Sequence, residues 1–410
     1  IWCDQRTVEE CEEITSIIGR ERLVEITANP ALTGFTASKI RWVYNHEPQI
    51  YEKIYKILLP KDYIRYKLTG EFATEVSDAS GMQLLNIGKR SWSGEMLSKL
   101  EVSPDWLGTL YESPELTGKI SREASELCGL AEGVPVAGGA GDQAAGAVGN
   151  GIVREGVVSS TIGTSGVVFA HTDSLTIDPK GRLQTFCHAV PGTWHVMGCS
   201  QTSGLSLQWM RNNFCIEELR TAALMQIDPY ELICAEAATS PIGSNGLLFL
   251  PYLLGERTPH LDPDARGVFF GISATHTKAD MIRAVMEGVT YSLCDSLDLI
   301  RDLGVSPCEV RASGGGGKSA LWRQMQSNVF GLNVTTVQSG EGPALGVALL
   351  AGVCAGVYGS VTEACDTVIR TKKTHKPDEK AHEIYEKYHM LFSRLYNALK
   401  EEYKILKIIK

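Results

Sequence analysis

The sequence predicts an α/β protein of two domains, and three observations point to it. A chain of 410 residues is longer than one hydrophobic core usually serves, so two folding units are expected, divided near residue 150 into 1–150 and 151–410. From about residue 133 onward, short β-branched runs alternate with stretches of three- and four-residue apolar spacing, the pattern of strands and helices sharing one sheet. Glycine-rich bends stand at several of the junctions, where ligands commonly meet α/β sheets.

Taken in order, the first hundred residues are dominated by helical periodicity. VEECEEITSIIG, TASKIRWVYNH, PQIYEKIYKIL and PKDYIRYKLTG each carry an apolar face, and Gly70 is the expected left-handed stop of the last. GVPVAGGAGDQAAGAVGNG (133–151) passes from a short strand through a glycine bend into a small-residue helix. GVVSSTIGTSGVVFAHT (156–172) places two β-branched runs either side of GTSG and predicts a hairpin. TWHVMG and GLLFLPYL read as strands, ADMIRAVMEGVTYSLCDSLDLIRDLG as a long helix, and RASGGGGKSALWRQ (311–324) as a strand turning into a helix through glycines. Pro377-Asp378 opens a final helix whose expected apolar face is Ile384, Tyr388, Leu391, Leu395 and Leu399.

Composition narrows the function. A net charge of −9 with no sustained basic block argues against a nucleic-acid partner. Eleven cysteines are scattered without a C-x-x-C pair or a neighbouring His cluster, which implies neither a disulfide framework nor a zinc site and suits free thiols in the cytoplasm. The longest apolar run, LLFLPYLL, is too short to span a bilayer, so no membrane partner is expected.

Three bends carry the chemistry. GGGGKS resembles a phosphate-binding P-loop, but the position that must be glycine, five places before Gly317, is Ala312. The run therefore reads as a turn that lets a ligand approach the backbone, or as a bare strand-to-helix turn. In GGAGDQAAGA, Asp142 and Gln143 stand at the mouth of a helix, where a carboxylate suits a general base and an amide suits a sugar hydroxyl; a plain helix cap is the competing reading. The same stretch contains Gly139-x-Gly141-x-x-Ala144, a loose dinucleotide fingerprint, yet Asp142 would then face a pyrophosphate of its own sign. TIGTSG offers backbone amides and the hydroxyls of Thr164 and Ser165 to phosphate oxygens, or is a simple hairpin turn. Three such turns with one carboxylate suit phosphoryl transfer.

GFTASKIRW, LLPKDYIRYKLTGEF, SDASG, GDQAAGAVGNG, GTSGVVFA, FCHAVPGTWHVMG, LPYLLGERTPHLDPDARGVFFG, GVFFGISATHTKADMIRAVMEGV and SGGGGKSALWRQ stand in the order of one family. The chain resembles the FGGY carbohydrate kinases, and within them the branch acting on D-xylulose. That resemblance implies two ribonuclease-H-like domains of the actin and sugar-kinase superfamily around a cleft, the first one incomplete. It implies phosphorylation of D-xylulose to its 5-phosphate with ATP and Mg²⁺; ribulose, fuculose, gluconate or glycerol is the alternative substrate. It makes Asp142 the catalytic base and, with Gln143, the substrate contact. It makes Gly163 and Thr164 the phosphate turn, and Gly204, Gln208, Gly314, Gly315 and Ser319 the nucleoside contacts. The family's D-x-G-T-S hairpin and Met-His segment precede its D-x-R motif, with which this sequence opens. A segment on the order of a hundred residues is therefore expected ahead of it, no Mg²⁺ ligand is assigned, and the chain alone is expected to be an inactive nucleotide-binding fragment. A homodimer is compatible with the sequence.

Overall fold

VEECEEITSII places Ile14 and Ile18 on one face of a helix, and both are buried. In the computed structural model, which describes residues 4–339 and 342–409, this helix, Val8–Ile18, packs beside Thr36–His46, and Arg41 pairs with Glu13 at 2.6 Å. Pro60–Thr69 stops at Gly70, whose φ of 81° is the left-handed conformation anticipated there. PQIYEKIYKIL departs from expectation. Its helix is one turn, Pro48–Tyr51, because the Tyr51 ring packs edge-on against Tyr44 and Trp106 and its hydroxyl donates to the Glu101 carbonyl at 2.8 Å.

Two compact units result, neither a single stretch of chain. The first comprises Ile1–Arg154, His171–Val196 and Glu341–Ile369; the second comprises Glu155–Ala170, Met197–Gly340 and Arg370–Lys410. One cut near residue 150 cannot describe this, because the helix Gly342–Cys354 belongs with Asp142–Gly149. Their backbones touch: a Cβ on Gly149 would lie 1.7 Å from the Gly342 carbonyl oxygen, and one on Gly346 would lie 1.8 Å from that of Ala145. Ala144, Ala145, Val148, Leu349 and Leu350 form the small core between the two helices. The first unit otherwise holds short strand pairs, Ala73–Glu75 parallel to Thr109–Tyr111 and Leu116–Lys119 antiparallel to Pro135–Ala137, beside a larger core around Ile14, Leu23, Met82 and Leu84.

A seven-stranded mixed sheet runs in the order Thr371–His375, Asn333–Val337, Glu309–Gly314, Val157–Ile162, Gly166–Thr172, Trp194–Ser200, Gln184–Cys187. The second to fourth of these are parallel, the first runs antiparallel to the second, and the fifth antiparallel to the fourth. GLLFLPYL lies outside this sheet, its strand Leu248–Leu250 pairing only with Val268–Phe270.

In the second unit the helix Lys278–Asp302 opens on a capping box between Thr277 and Asp280. Burial would raise the Asp280 carboxyl, but hydrogen bonds from Ser240, Thr277 and Asn245 hold it at about 2. Further along, buried Glu287 pairs with Arg283 (2.8 Å) and accepts from the Gly243 amide, the Ser244 hydroxyl and the Tyr385 hydroxyl. Gly288 admits the Phe249 carbonyl oxygen to where a Cβ would stand, 2.0 Å away. The final helix, Glu379–Ile409, buries Ala381, Tyr385, Phe392, Leu395 and Tyr403, while Ile384 and Leu391 are exposed. Leu395 is buried as expected and Tyr388 and Leu399 are half-buried, so the buried face overlaps the expected one and is turned toward Tyr385 and Phe392. Tyr385 and Phe392 pack on Tyr291, and the Tyr385 hydroxyl meets Arg283 and Glu287, so its ring and its polar tip are both satisfied in the core.

Candidate functional site

In the first unit, GGAGDQAAGA forms the bend and helix anticipated. Gly141 occupies the cap position with extended ψ (152°), and Asp142 is the first residue of the helix, so Asp142 is not the cap residue. Its carboxylate is exposed; one oxygen accepts the Gln143 amide at 2.9 Å and the other the Gln143 side-chain amide at 3.2 Å. Gln143 is half-buried and oriented by this contact. The pair presents an anchored carboxylate and an amide on the first turn of one helix, a set able to accept a proton and to hold a hydroxyl.

Sequence reasoning assigned no role to the groups beneath this bend. Lys61 lies 3.2 Å from Asp62, 3.2 Å from Glu75 and 3.3 Å from Asp78, while Arg65 pairs with Asp62 at 3.0 Å and donates to the Gly138 carbonyl. Burial would depress the Lys61 ammonium, but Glu75, Asp78 and Asp62 hold it well above its ordinary value. Burial pushes the Asp78 carboxyl up against the pull of Lys61. Lys61, Asp62 and Arg65 sit in LLPKDYIRYKLTGEF and Asp78 in SDASG, with Glu75 between the two, and charged side chains inside helical spacing were the available signal.

FCHAVPGTWHVMG contributes His188 and His195 to the first unit's interior. Burial depresses both imidazoles, His195 to about 3, so they are neutral near pH 7 and serve the framework.

The remaining predicted residues lie in the second unit, at the ends of the strands Val157–Ile162 and Glu309–Gly314 and the helix starts beside them. GTSG is the hairpin turn, with Ile162 paired to Gly166 and with Gly163, Thr164 and Ser165 exposed. The helix Gly204–Phe214 begins on it: the Gly204 amide donates to the Gly163 carbonyl at 2.8 Å and the Leu205 amide to that of Thr164 at 3.1 Å. A Cβ on Gly204 would fall 2.2 Å from the Gly163 oxygen, so glycine is required there for packing. Gln208 follows one turn later, half-buried. Gly314 pairs with Ile162 in parallel register, at the same end of the sheet; it has φ 73°, and a Cβ on it would meet the Ile162 carbonyl oxygen at 2.5 Å.

Gly315 differs from these. Its φ of −60° suits any residue, a Cβ there would meet nothing closer than 3.8 Å, and it is exposed. Gly316–Lys318 is a short 3₁₀ turn whose last two carbonyls accept from Arg323, and the Lys318 side chain is exposed. Ser319 caps the following helix, Ala320–Phe330, its hydroxyl accepting the Trp322 amide at 3.3 Å. An exposed hairpin turn, a helix N-terminus and a glycine turn at the carboxyl end of parallel strands form a set suited to phosphate and nucleoside.

Among the described residues, Cys294, Asp298 and His389 come within 4.8 Å of one another. A thiol and an imidazole are poor donors for a hard cation such as Mg²⁺, and His389 is engaged by Asp295 at 2.8 Å. The ten cysteines of the described residues are free thiols, and no helix among these residues is long and apolar enough to cross a membrane.

Comparison with known proteins agrees with these features. Residues 1–149 match the N-terminal domain of the FGGY family of carbohydrate kinases, and residues 158–355 match its C-terminal domain. The chain is 38% identical over 400 residues to the xylulose kinase of Escherichia coli, covering 97% of this chain and 80% of that one. It is 32% identical to the gluconokinase of Bacillus licheniformis, covering 98% and 78%. The crystal structure of ligand-bound xylulose kinase from Lactobacillus acidophilus superposes with a TM-score of 0.91 at 25% identity, covering 99% and 80%. The chain therefore belongs to the FGGY family of carbohydrate kinases, two-domain α/β enzymes that phosphorylate sugars with ATP.

Proposed function

We propose that this kinase phosphorylates D-xylulose at its 5-hydroxyl, in the cytoplasm. The similarity to xylulose kinases supports the substrate. The observation that carries the chemistry is the exposed Asp142 carboxylate, anchored by Gln143 on the first turn of its helix. In this reading Asp142 accepts the proton of the attacking hydroxyl, and Gln143 holds a neighbouring sugar hydroxyl. The Gly163–Thr164 amides take the phosphates, and Gly204, Gln208, Gly314, Gly315 and Ser319 form the nucleoside's surroundings, with Gly315 supplying the open backbone. The thiol and imidazole donors of Cys294 and His389 do not fit Mg²⁺, so the metal is assigned to no residue set and is read as arriving on the nucleotide's phosphates.

The gluconokinase relative favours gluconate as the second reading. Turnover of the full-length protein on D-xylulose, D-ribulose, L-fuculose, gluconate and glycerol, followed by ADP release, separates them. D-xylulose should show the highest kcat/KM, by about tenfold or more. Preference for gluconate would transfer the assignment.

A further inference from the structure

We propose that Ser77, held by the buried carboxylate of Glu75, is a positioning residue that sets the direction of the Asp142 side chain through the Gly141 backbone amide. The inference rests on reading Asp142 as the base. Among the described residues, Asp142 makes its side-chain bonds only with the adjacent Gln143, so its aim depends on the backbone that delivers it. That backbone is the bend 138–141, and polar groups from elsewhere in the first unit hold it at four points. Arg65 donates to the Gly138 carbonyl, the Gly138 amide donates to the Glu115 carbonyl at 3.0 Å, the Gly139 amide donates to the Ser113 carbonyl at 3.0 Å, and the Gly141 amide donates to the Ser77 hydroxyl oxygen at 3.0 Å.

The last of these immediately precedes Asp142, and it is made by a side chain with its own support. Ser77 is 6% exposed and Glu75 fully buried. The Ser77 hydroxyl donates to Glu75 at 3.0 Å, which turns its lone pairs toward Gly141. Glu75 also accepts the Ser77 amide (2.7 Å), the Asp78 amide (2.8 Å) and the Ser113 hydroxyl (3.0 Å), and Lys61 neutralises it at 3.2 Å. A carboxylate with four donors and a cation has no freedom to turn, and neither has the hydroxyl it grips. Gly141 in turn cannot rotate without breaking this bond and the first helical one, in which its carbonyl accepts the Ala145 amide at 2.8 Å. A base must sit within hydrogen-bond reach of its proton, and a displacement of about 1 Å costs on the order of 100-fold in rate. The Ser77 bond removes that displacement.

The test is a cycle on the full-length kinase: Ser77→Ala, Ser77→Thr, Asp142→Asn and the double variant Ser77→Ala/Asp142→Asn. Ser77→Ala should lower kcat about 10- to 100-fold with KM for ATP unchanged, and should speed hydrogen exchange at the Gly141 amide. Ser77→Thr keeps the hydroxyl and should restore both. In the Asp142→Asn background, Ser77→Ala should cost less than about twofold, because a residue acting through Asp142 has nothing left to position. An undiminished cost in that background, or normal kcat in Ser77→Ala, overturns the proposal while leaving the base assignment intact. Near-normal turnover of Asp142→Asn alone overturns the base assignment, and this proposal with it. If Ser77→Ala does not fold, Ser77→Cys keeps the volume, is a poor acceptor, and takes its place in the cycle.

Discussion

Gly141 and Asp142 play separate parts at the bend. The glycine turns the chain into the helix, and the aspartate is left with an exposed carboxylate that no cap geometry consumes. Asp142→Asn should therefore leave the melting temperature nearly unchanged while lowering kcat by roughly 10²–10⁴-fold, which turnover and thermal unfolding measured on one preparation would show. The residue scale also sorts the glycine run. Gly314→Ala meets the Ile162 carbonyl oxygen from a left-handed backbone and should lower stability. Gly315→Val has room and an ordinary φ, so its effect falls on a ligand: KM for ATP should rise at least tenfold with unfolding unchanged. Lys318→Ala should alter turnover only a few-fold, since Lys318 is exposed at the end of the 3₁₀ turn; a larger loss than Gly315→Val causes would restore the phosphate-loop reading. The bend and helix that carry Asp142 were legible, because a short strand, a glycine run and a small-residue stretch follow one another there. Ser77 and Glu75 were not, because a serine beside a carboxylate in a helical stretch looks like surface until the fold buries it.

At the scale of elements, periodicity located helices and missed orientations. The long helix Lys278–Asp302, its capping box and the hairpin around GTSG follow from local sequence. The buried face of Glu379–Ile409 does not, because it is chosen by the partners of Tyr385, namely Tyr291, Arg283 and Glu287, which lie far away in the chain. The stretch GVFFGISATHTKADMIRAVMEGV turns out to hold framework: the cap, the buried Arg283–Glu287 pair and the Gly288 contact with Phe249. Arg283→Met leaves Glu287 buried without its cation and should cost about 3–5 kcal/mol in urea unfolding. A cost below about 1 kcal/mol would mean the Gly243, Ser244 and Tyr385 donors suffice.

For the whole molecule, class and family could be read from alternating elements and ordered motifs, whereas the return of 171–196 and 341–369 to the first unit could not. Contacts between distant segments, such as Gly149 with Gly342, leave no local trace beyond the glycines themselves. Global stability should carry the mark of Glu256, which burial raises to about 7. Between about pH 4.5 and 7 the folded carboxyl retains a proton that the unfolded one has released, so stability falls as pH rises through this window. Glu256→Gln should flatten the decline in unfolding midpoint from about pH 5 to about pH 8. Its amide can face Ser200 and Ser292 while its oxygen keeps the Gln201 and Arg257 amides, so the fold survives the change. An equally steep decline in the variant would assign the pH dependence elsewhere.

The pairing of Asp142–Gly149 with Gly342–Cys354 also sets a schedule for synthesis. The ribosome delivers the second helix roughly 200 residues after the first, a delay of about 10–40 s at ordinary bacterial elongation rates. Throughout that interval the glycine and alanine face beside Asp142 lacks its cover, while the remaining strands of the seven-stranded sheet emerge, all but Thr371–His375. The cover of the helix Asp142–Gly149 therefore arrives late, and a chain ending before residue 342 would leave the first unit open along the Gly149 seam.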